Sequence, residues 1–82
     1  MSHEDQLRQA FAQALNLEPA QVVDSLAYDS IPEWDSTAHM VLIAELEGAF
    51  GVMLETADIL GLSSVAKARE ILARHGVSFA GA

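Results

Sequence analysis

The residues best suited to chemistry stand together between Glu33 and Met40, in EWDSTAHM: an aromatic ring, an acid, a hydroxyl and an imidazole. They lie directly before the longest run of large apolar residues, Met40–Ile43. A short acceptor side chain at such a boundary satisfies the first unpaired N–H groups of a helix, so Asp35-Ser36 reads first as a cap. The question is whether capping is all that Ser36 does.

Other reactive groups are sparse. The 3 histidines, His3, His39 and His75, fall in different segments and at no metal-ligand spacing. The chain has no cysteine, so a disulfide framework, a thiolate metal site and a cysteine nucleophile are all excluded. It contains no Gly-rich phosphate loop, no G-x-S-x-G elbow and no H-E-x-x-H. Neighbouring carboxylates occur (Glu45 with Glu47, Glu55 with Asp58), but Glu45 and Glu47, two apart on a helix, face different ways. The expectation is a protein that is not itself an enzyme and that binds no metal.

At 82 residues the chain suits one small domain with a modest core. Its 51% hydrophobic and 20% charged content argues against disorder. No stretch has the length of a transmembrane span or signal-peptide core, so membrane insertion is not expected and the default location is cytoplasmic. Net charge is −8, and no Lys or Arg occurs between Arg8 and Lys67. Nine acids fill that interval: Glu18, Asp24, Asp29, Glu33, Asp35, Glu45, Glu47, Glu55 and Asp58. Such a field repels phosphate backbones and anionic lipid, which removes nucleic-acid and membrane-surface functions. It suits docking onto basic protein surfaces, or plain solubility.

The elements that position Asp35-Ser36 are helical. A first helix starts at Ser2, with Asp5 completing an approximate capping box. It carries Leu7, Phe11 and Leu15 on one face and stops at Asn16 and Pro19. A second helix runs from about Ser36 to Phe50 and ends at Gly51. A short third spans about Thr56 to Leu60, with Thr56 as its cap and Gly61 as its end. A fourth starts near Ser63-Ser64, carries Val65, Ala68, Ile71 and Leu72, ends in Arg74 and His75, and is closed by Gly76. The fold class is therefore all-α: a small four-helix bundle with a long loop between its first two helices. The domain is expected to span 1–82, with its core over about 5–77 and a loose tail over 78–82. A monomer is the default.

Leu17 to Trp34 is long for a connection in a compact domain, and such loops are usually functional or disordered. Val22, Val23, Leu26, Tyr28, Ile31 and Trp34 are spaced as anchors onto a core, and Pro32 restricts the approach to Trp34. The loop thus delivers Asp35-Ser36 to a fixed place.

With about 100° of rotation per residue, Leu42, Ile43, Leu46 and Phe50 share one stripe of the second helix, and His39 falls there too. Thr37, Val41, Ala44 and Gly48 fall on the opposite side, with Met40 at the margin and Glu45 and Glu47 flanking. An uncharged strip rimmed by acid suits a docking surface. It also suits a second packing face within the domain, with the third helix as the candidate to cover it. A glycine inside a helix costs about 1 kcal/mol relative to alanine, which fits a position that something approaches closely.

With that register, the chain resembles acyl carrier proteins and the related peptidyl carrier domains. In that family an Asp-Ser-Leu opens the second of four helices, and its serine is esterified to 4′-phosphopantetheine. Asp35-Ser36 matches in position, and LEGAFGV, Leu46–Val52, is similar to the family's close of that helix. The long anchored loop, the short third helix, SSVAKAREIL and the acidic balance also match, so the resemblance covers about residues 5–77.

The resemblance implies a carrier that tethers acyl or aminoacyl groups as thioesters on an arm at Ser36, with Asp35 beside it. The phosphate of the arm would lie against the N–H groups and positive dipole end of the helix. Implied partners are a phosphopantetheinyl transferase, an acyl- or aminoacyl-loading ligase and downstream transferases. Their contact surface would include Thr37, Met40, Val41, Ala44, Glu45, Glu47 and Gly48.

Thr37 stands where the family usually has leucine, and Val41 and Ala44 make the outward face less acidic than in housekeeping fatty-acid carriers. These departures point to a specialised stand-alone carrier in secondary-metabolite, lipid-modification or aminoacyl/peptidyl chemistry. His39 would pair with Asp35, line the entrance for cargo, or be a histidine of the capping turn without a role. A rival reading is an unmodified helical adaptor that binds a partner through Thr37, Val41 and Ala44.

Overall fold

The three longer helices begin where a short polar side chain stands in for the missing turn. A computed structural model describes residues 2–79. In it α1 spans His3–Leu15, α2 Ser36–Phe50, α3 Thr56–Gly61 and α4 Val65–Arg74, with a 3-10 turn at Pro19–Gln21. Ser2 Oγ accepts from the Asp5 N–H at 3.1 Å, and Ser64 Oγ accepts from the Lys67 N–H at 3.1 Å. α1 stops at Asn16, in the left-handed region at φ 57°, which asparagine tolerates. α2 stops at Gly51, at φ 64°, whose N–H returns to the Glu47 carbonyl at 2.9 Å.

α3 departs from expectation at both ends. Its cap is Glu55, not Thr56: the Glu55 N–H donates to Asp58 Oδ2 at 3.1 Å, so the acid three residues on reaches back. Gly61 is the last helical residue, and Leu62 follows as the C-cap.

The fold is all-helical among the described residues, with a single bridge pair, Ala27 with Ser64, outside the helices. Its radius of gyration is 11.3 Å, close to the roughly 12 Å of a folded chain of this length. α1 lies along α2. Leu7, Phe11 and Leu15 of α1 meet Leu42, Ile43 and Leu46 of α2, and Val65, Ala68, Ile71 and Leu72 of α4 in one core. Full burial of each large side chain there contributes about 1.5–3 kcal/mol before the ordering entropy is subtracted.

The long loop is pinned, though by fewer side chains than its pattern suggests. Trp34 is wholly buried and meets Phe11 edge-on at 5.4 Å, and Val22 is buried as well. Leu26 and Ile31 are partly buried, whereas Val23 is exposed and Tyr28, though exposed, lays its ring edge-on against Trp34 at 6.2 Å. Backbone bonds complete the attachment: the Tyr28 N–H donates to the Ser63 carbonyl at 2.9 Å and the Val65 N–H to the Leu26 carbonyl at 3.0 Å. Asp29, at φ 64°, turns the chain so that its N–H meets the Trp34 carbonyl at 3.0 Å.

The expected loose tail does not begin at residue 78. Phe79 is buried near Phe50, with ring centroids 6.1 Å apart, and the ring of His3 donates to the Ser78 carbonyl at 2.6 Å. An aromatic residue in a non-periodic stretch found a gap between the ends of α1 and α2. Residues 80–82 of that expectation lie outside the described residues.

Candidate functional site

The cap on α2 is Asp35. Its Oδ1 accepts from the Ala38 N–H at 2.8 Å, and its carbonyl accepts from the His39 N–H at 2.9 Å. Ser36 is the first helical residue, exposed, and is not the capping acceptor. The division of labour leaves the serine hydroxyl at the surface, at the positive end of a helix of 15 residues.

His39, one turn on, does not pair with the Asp35 carboxylate and is not an idle capping-turn residue. Its Nδ1 accepts from the Trp34 indole N–H at 3.0 Å, and its Nε2–H donates to the Ile59 carbonyl at 2.9 Å. The imidazole stacks on Trp34 at 21° and meets Tyr28 edge-on at 5.3 Å. Both ring nitrogens are therefore used in joining the loop, α2 and α3. A base with both nitrogens engaged cannot take a proton from Ser36, so the pair is not an assembled nucleophile and base.

Beside Ser36 opens a pocket of about 380 Å³ between α2, α3 and the loop. Tyr28 and His39 form one wall, and Met40, Ile59, Leu60 and Leu62 supply an aliphatic one. Ser36 and Ser63 also line it. An apolar concavity with a few polar groups is the usual form of a small-molecule site. The structure thus places His39 and Met40 on the pocket, next to Ser36.

The outward strip is open. Thr37, Val41, Ala44 and Gly48 are all exposed, Met40 is 57% and Val41 47% exposed, and a Cβ built on Gly48 would meet nothing within 4 Å. The alternative of a second packing face against α3 fails: α3 approaches the Ser36–His39–Met40 side. The two flanking acids have separate duties. Glu47 Oε2 accepts from the Leu54 N–H at 2.9 Å, which ties down the chain after α2. Glu45 faces Gln6, Gln9 and Gln13 of α1 across a shallow polar groove.

Tyr28, Ile59, Leu60, Leu62 and Ser63 were not among the expected site residues. One signal was available: an imidazole on the core stripe of α2 needs partners, and partners there imply an element packed over it. α3 itself is held at Asp58, whose Oδ2 meets His75 Nε2 at 2.9 Å. The His75 bond, and then the Glu55 N–H, hold the Asp58 carboxyl below its usual range.

Among the described residues, no helix is long and apolar enough to cross a membrane. Comparison with models of known protein families, with curated proteins and with solved structures returns no match.

Proposed function

We propose that this chain is a carrier of the acyl or peptidyl carrier type: a four-helix domain that holds 4′-phosphopantetheine on Ser36 and presents acyl or aminoacyl thioesters to other enzymes. The observation that carries the reading is an exposed serine, relieved of capping by Asp35, at the edge of an apolar pocket. The residues fit such a group: an accessible hydroxyl to esterify, a helix N-terminus favourable to a phosphate, and an apolar recess beside it. When bound, the group supplies a terminal thiol, which the chain itself lacks. The chain's own residues attach, orient and shelter. Catalysis belongs to the partners.

Those partners are a phosphopantetheinyl transferase, a loading ligase and downstream transferases. The face they would read is Thr37, Met40, Val41, Ala44 and Gly48, with the acidic field of the chain around it. The deciding experiment is intact-mass measurement after incubation with coenzyme A and a promiscuous phosphopantetheinyl transferase. Gain of one phosphopantetheine group, lost in Ser36→Ala, is the expected result. No gain, or a gain that survives Ser36→Ala, overturns the reading.

The openness of the strip also favours a second reading, an unmodified adaptor that binds a partner protein there. That reading requires Ser36→Ala to leave binding intact while Val41→Glu abolishes it.

A further inference from the structure

α3 has little holding it. None of its residues is buried, Leu60 is 80% exposed, and a helix of 6 residues is too short to be stable by itself. Ile59 packs partly against the core, and among the described residues the side chains of other elements that hydrogen-bond to α3 are both imidazoles: His39 at the Ile59 carbonyl and His75 at the Asp58 carboxylate. Ile59 and Leu60 are walls of the pocket beside Ser36, so whatever fastens α3 also holds that wall in place.

The two bonds of His39 define its protonation. The Trp34 indole N–H can only donate, so Nδ1 must present a lone pair. The Ile59 carbonyl can only accept, so Nε2 must carry the proton. Only the neutral, Nε2-protonated ring satisfies both. A second proton, on Nδ1, sets one N–H against another. Trp34 cannot yield, because it is wholly buried and boxed in edge-on by Phe11 at 5.4 Å and Tyr28 at 6.2 Å. His39 lines the pocket of about 380 Å³, and a ring that turns into that space takes Nε2 off Ile59.

The ionisable groups around the ring do not offset this. Tyr28 meets it from the loop with its ring. Asp35, one turn earlier on α2, has Oδ1 committed to the Ala38 N–H. Asp58, next to Ile59 on α3, has Oδ2 committed to His75 and to the Glu55 N–H. Among the described residues no carboxylate forms an ion pair with His39. The second imidazole responds in the opposite sense: a charge on His75 strengthens its bond to Asp58.

We propose that His39 is a proton-operated latch on this pocket. Neutral, it bolts α3 to the Trp34 loop and holds the wall in place. Doubly protonated, it releases Ile59, and α3 swings while still tethered to α4 through Asp58 and His75. The latch belongs to the unmodified chain and does not depend on any group carried at Ser36.

The test uses isotope-labelled, unmodified protein between about pH 8 and pH 5, the span in which imidazoles change charge. Imidazole nitrogen NMR should show the Nε2–H tautomer of His39 at the upper end. The Trp34 indole N–H resonance should then move together with the His39 titration. Hydrogen-exchange protection factors at Ile59 and Leu60, which remove the intrinsic pH dependence of exchange, should fall at least tenfold over the same span. His39→Gln keeps an amide donor and acceptor but cannot titrate, and should flatten both responses. His75→Gln should leave the Trp34 response in place. An Nδ1–H tautomer, a Trp34 resonance indifferent to the His39 titration, or a full response surviving in His39→Gln overturns the latch.

Discussion

Arg69 and Glu4 lie 65 positions apart in sequence and meet as a two-pronged ion pair, Nε to Oε1 at 3.0 Å and Nη2 to Oε2 at 2.7 Å. The same Nη2 reaches Asp24 Oδ1 at 2.9 Å, so one guanidinium ties α4 to the start of α1 and to the long loop. The planar fork suits a carboxylate as no ammonium does. Glu4 first, and then Asp24, hold the Arg69 charge in place and push its pKa well above the ordinary range.

Arg69→Met should therefore cost about 1–2 kcal/mol, since charge-assisted bonds to a partly shielded group retain part of their strength. The Asp24 side chain is 71% exposed against 29% for Glu4, so Asp24→Asn should stay within about 0.5 kcal/mol. Urea unfolding followed by Trp34 fluorescence measures both, and the Arg69→Met deficit should shrink in high salt. An equal cost for the two variants would show that the fork to Glu4 is not the stronger arm.

The two faces of α2 give a second expectation. Leu46 is wholly buried, and Leu46→Ala should cost about 2–5 kcal/mol. Val41 is 47% exposed on the opposite side, and Val41→Glu should change stability by no more than about 0.5 kcal/mol. Paired thermal melts decide the matter: a comparable loss in both variants would place the strip against protein rather than solvent.

That contrast was legible in sequence because a helix of 15 residues repeats its pattern four times over, so Leu42, Ile43 and Leu46 report one face with little ambiguity. The ends of α1, α2 and α4 were legible too, through Ser2, Asn16, Gly51 and Ser64. α3 was less so. Over 6 residues a period cannot establish itself, and Thr56 is the better cap by type, whereas the cap is Glu55, whose N–H Asp58 reaches back to meet. The pocket was the least legible, because its walls come from three separate segments, and only the fold brings Tyr28, His39 and Ile59 together. Phe79 escaped for a related reason: a single aromatic residue without periodicity announces burial only when a gap awaits it.

Acid should weaken the Asp58 attachment. A carboxyl whose pKa is lowered by folding contributes stability that is complete above the unfolded value, about 3.9, and lost as the pH falls through the lower folded one. Asp58→Asn should thus be less stable than the parent at neutral pH, with the two stability curves converging below about pH 4. Chemical unfolding at a series of pH values tests this. A gap that stays constant into acid would mean that Asp58 acts through shape alone.

Gly48 offers the sharpest separation of folding from recognition. It sits inside α2 in ordinary helical conformation, and an added Cβ would meet nothing within 4 Å. Within the chain, the missing methyl group serves no contact. Gly48→Ala should then stabilise the protein by about 0.5–1 kcal/mol, which for a domain of this size raises the melting temperature by about 2–8 °C. If partners approach α2 along Thr37, Val41, Ala44 and Gly48, the same methyl group should lower the efficiency of Ser36 modification by a phosphopantetheinyl transferase several-fold. Parallel melts and modification kinetics on the one variant read both effects. A more stable protein that is modified as fast as the parent would remove Gly48 from the recognition surface. A less stable one would mean that the space above Gly48 is occupied by the chain itself.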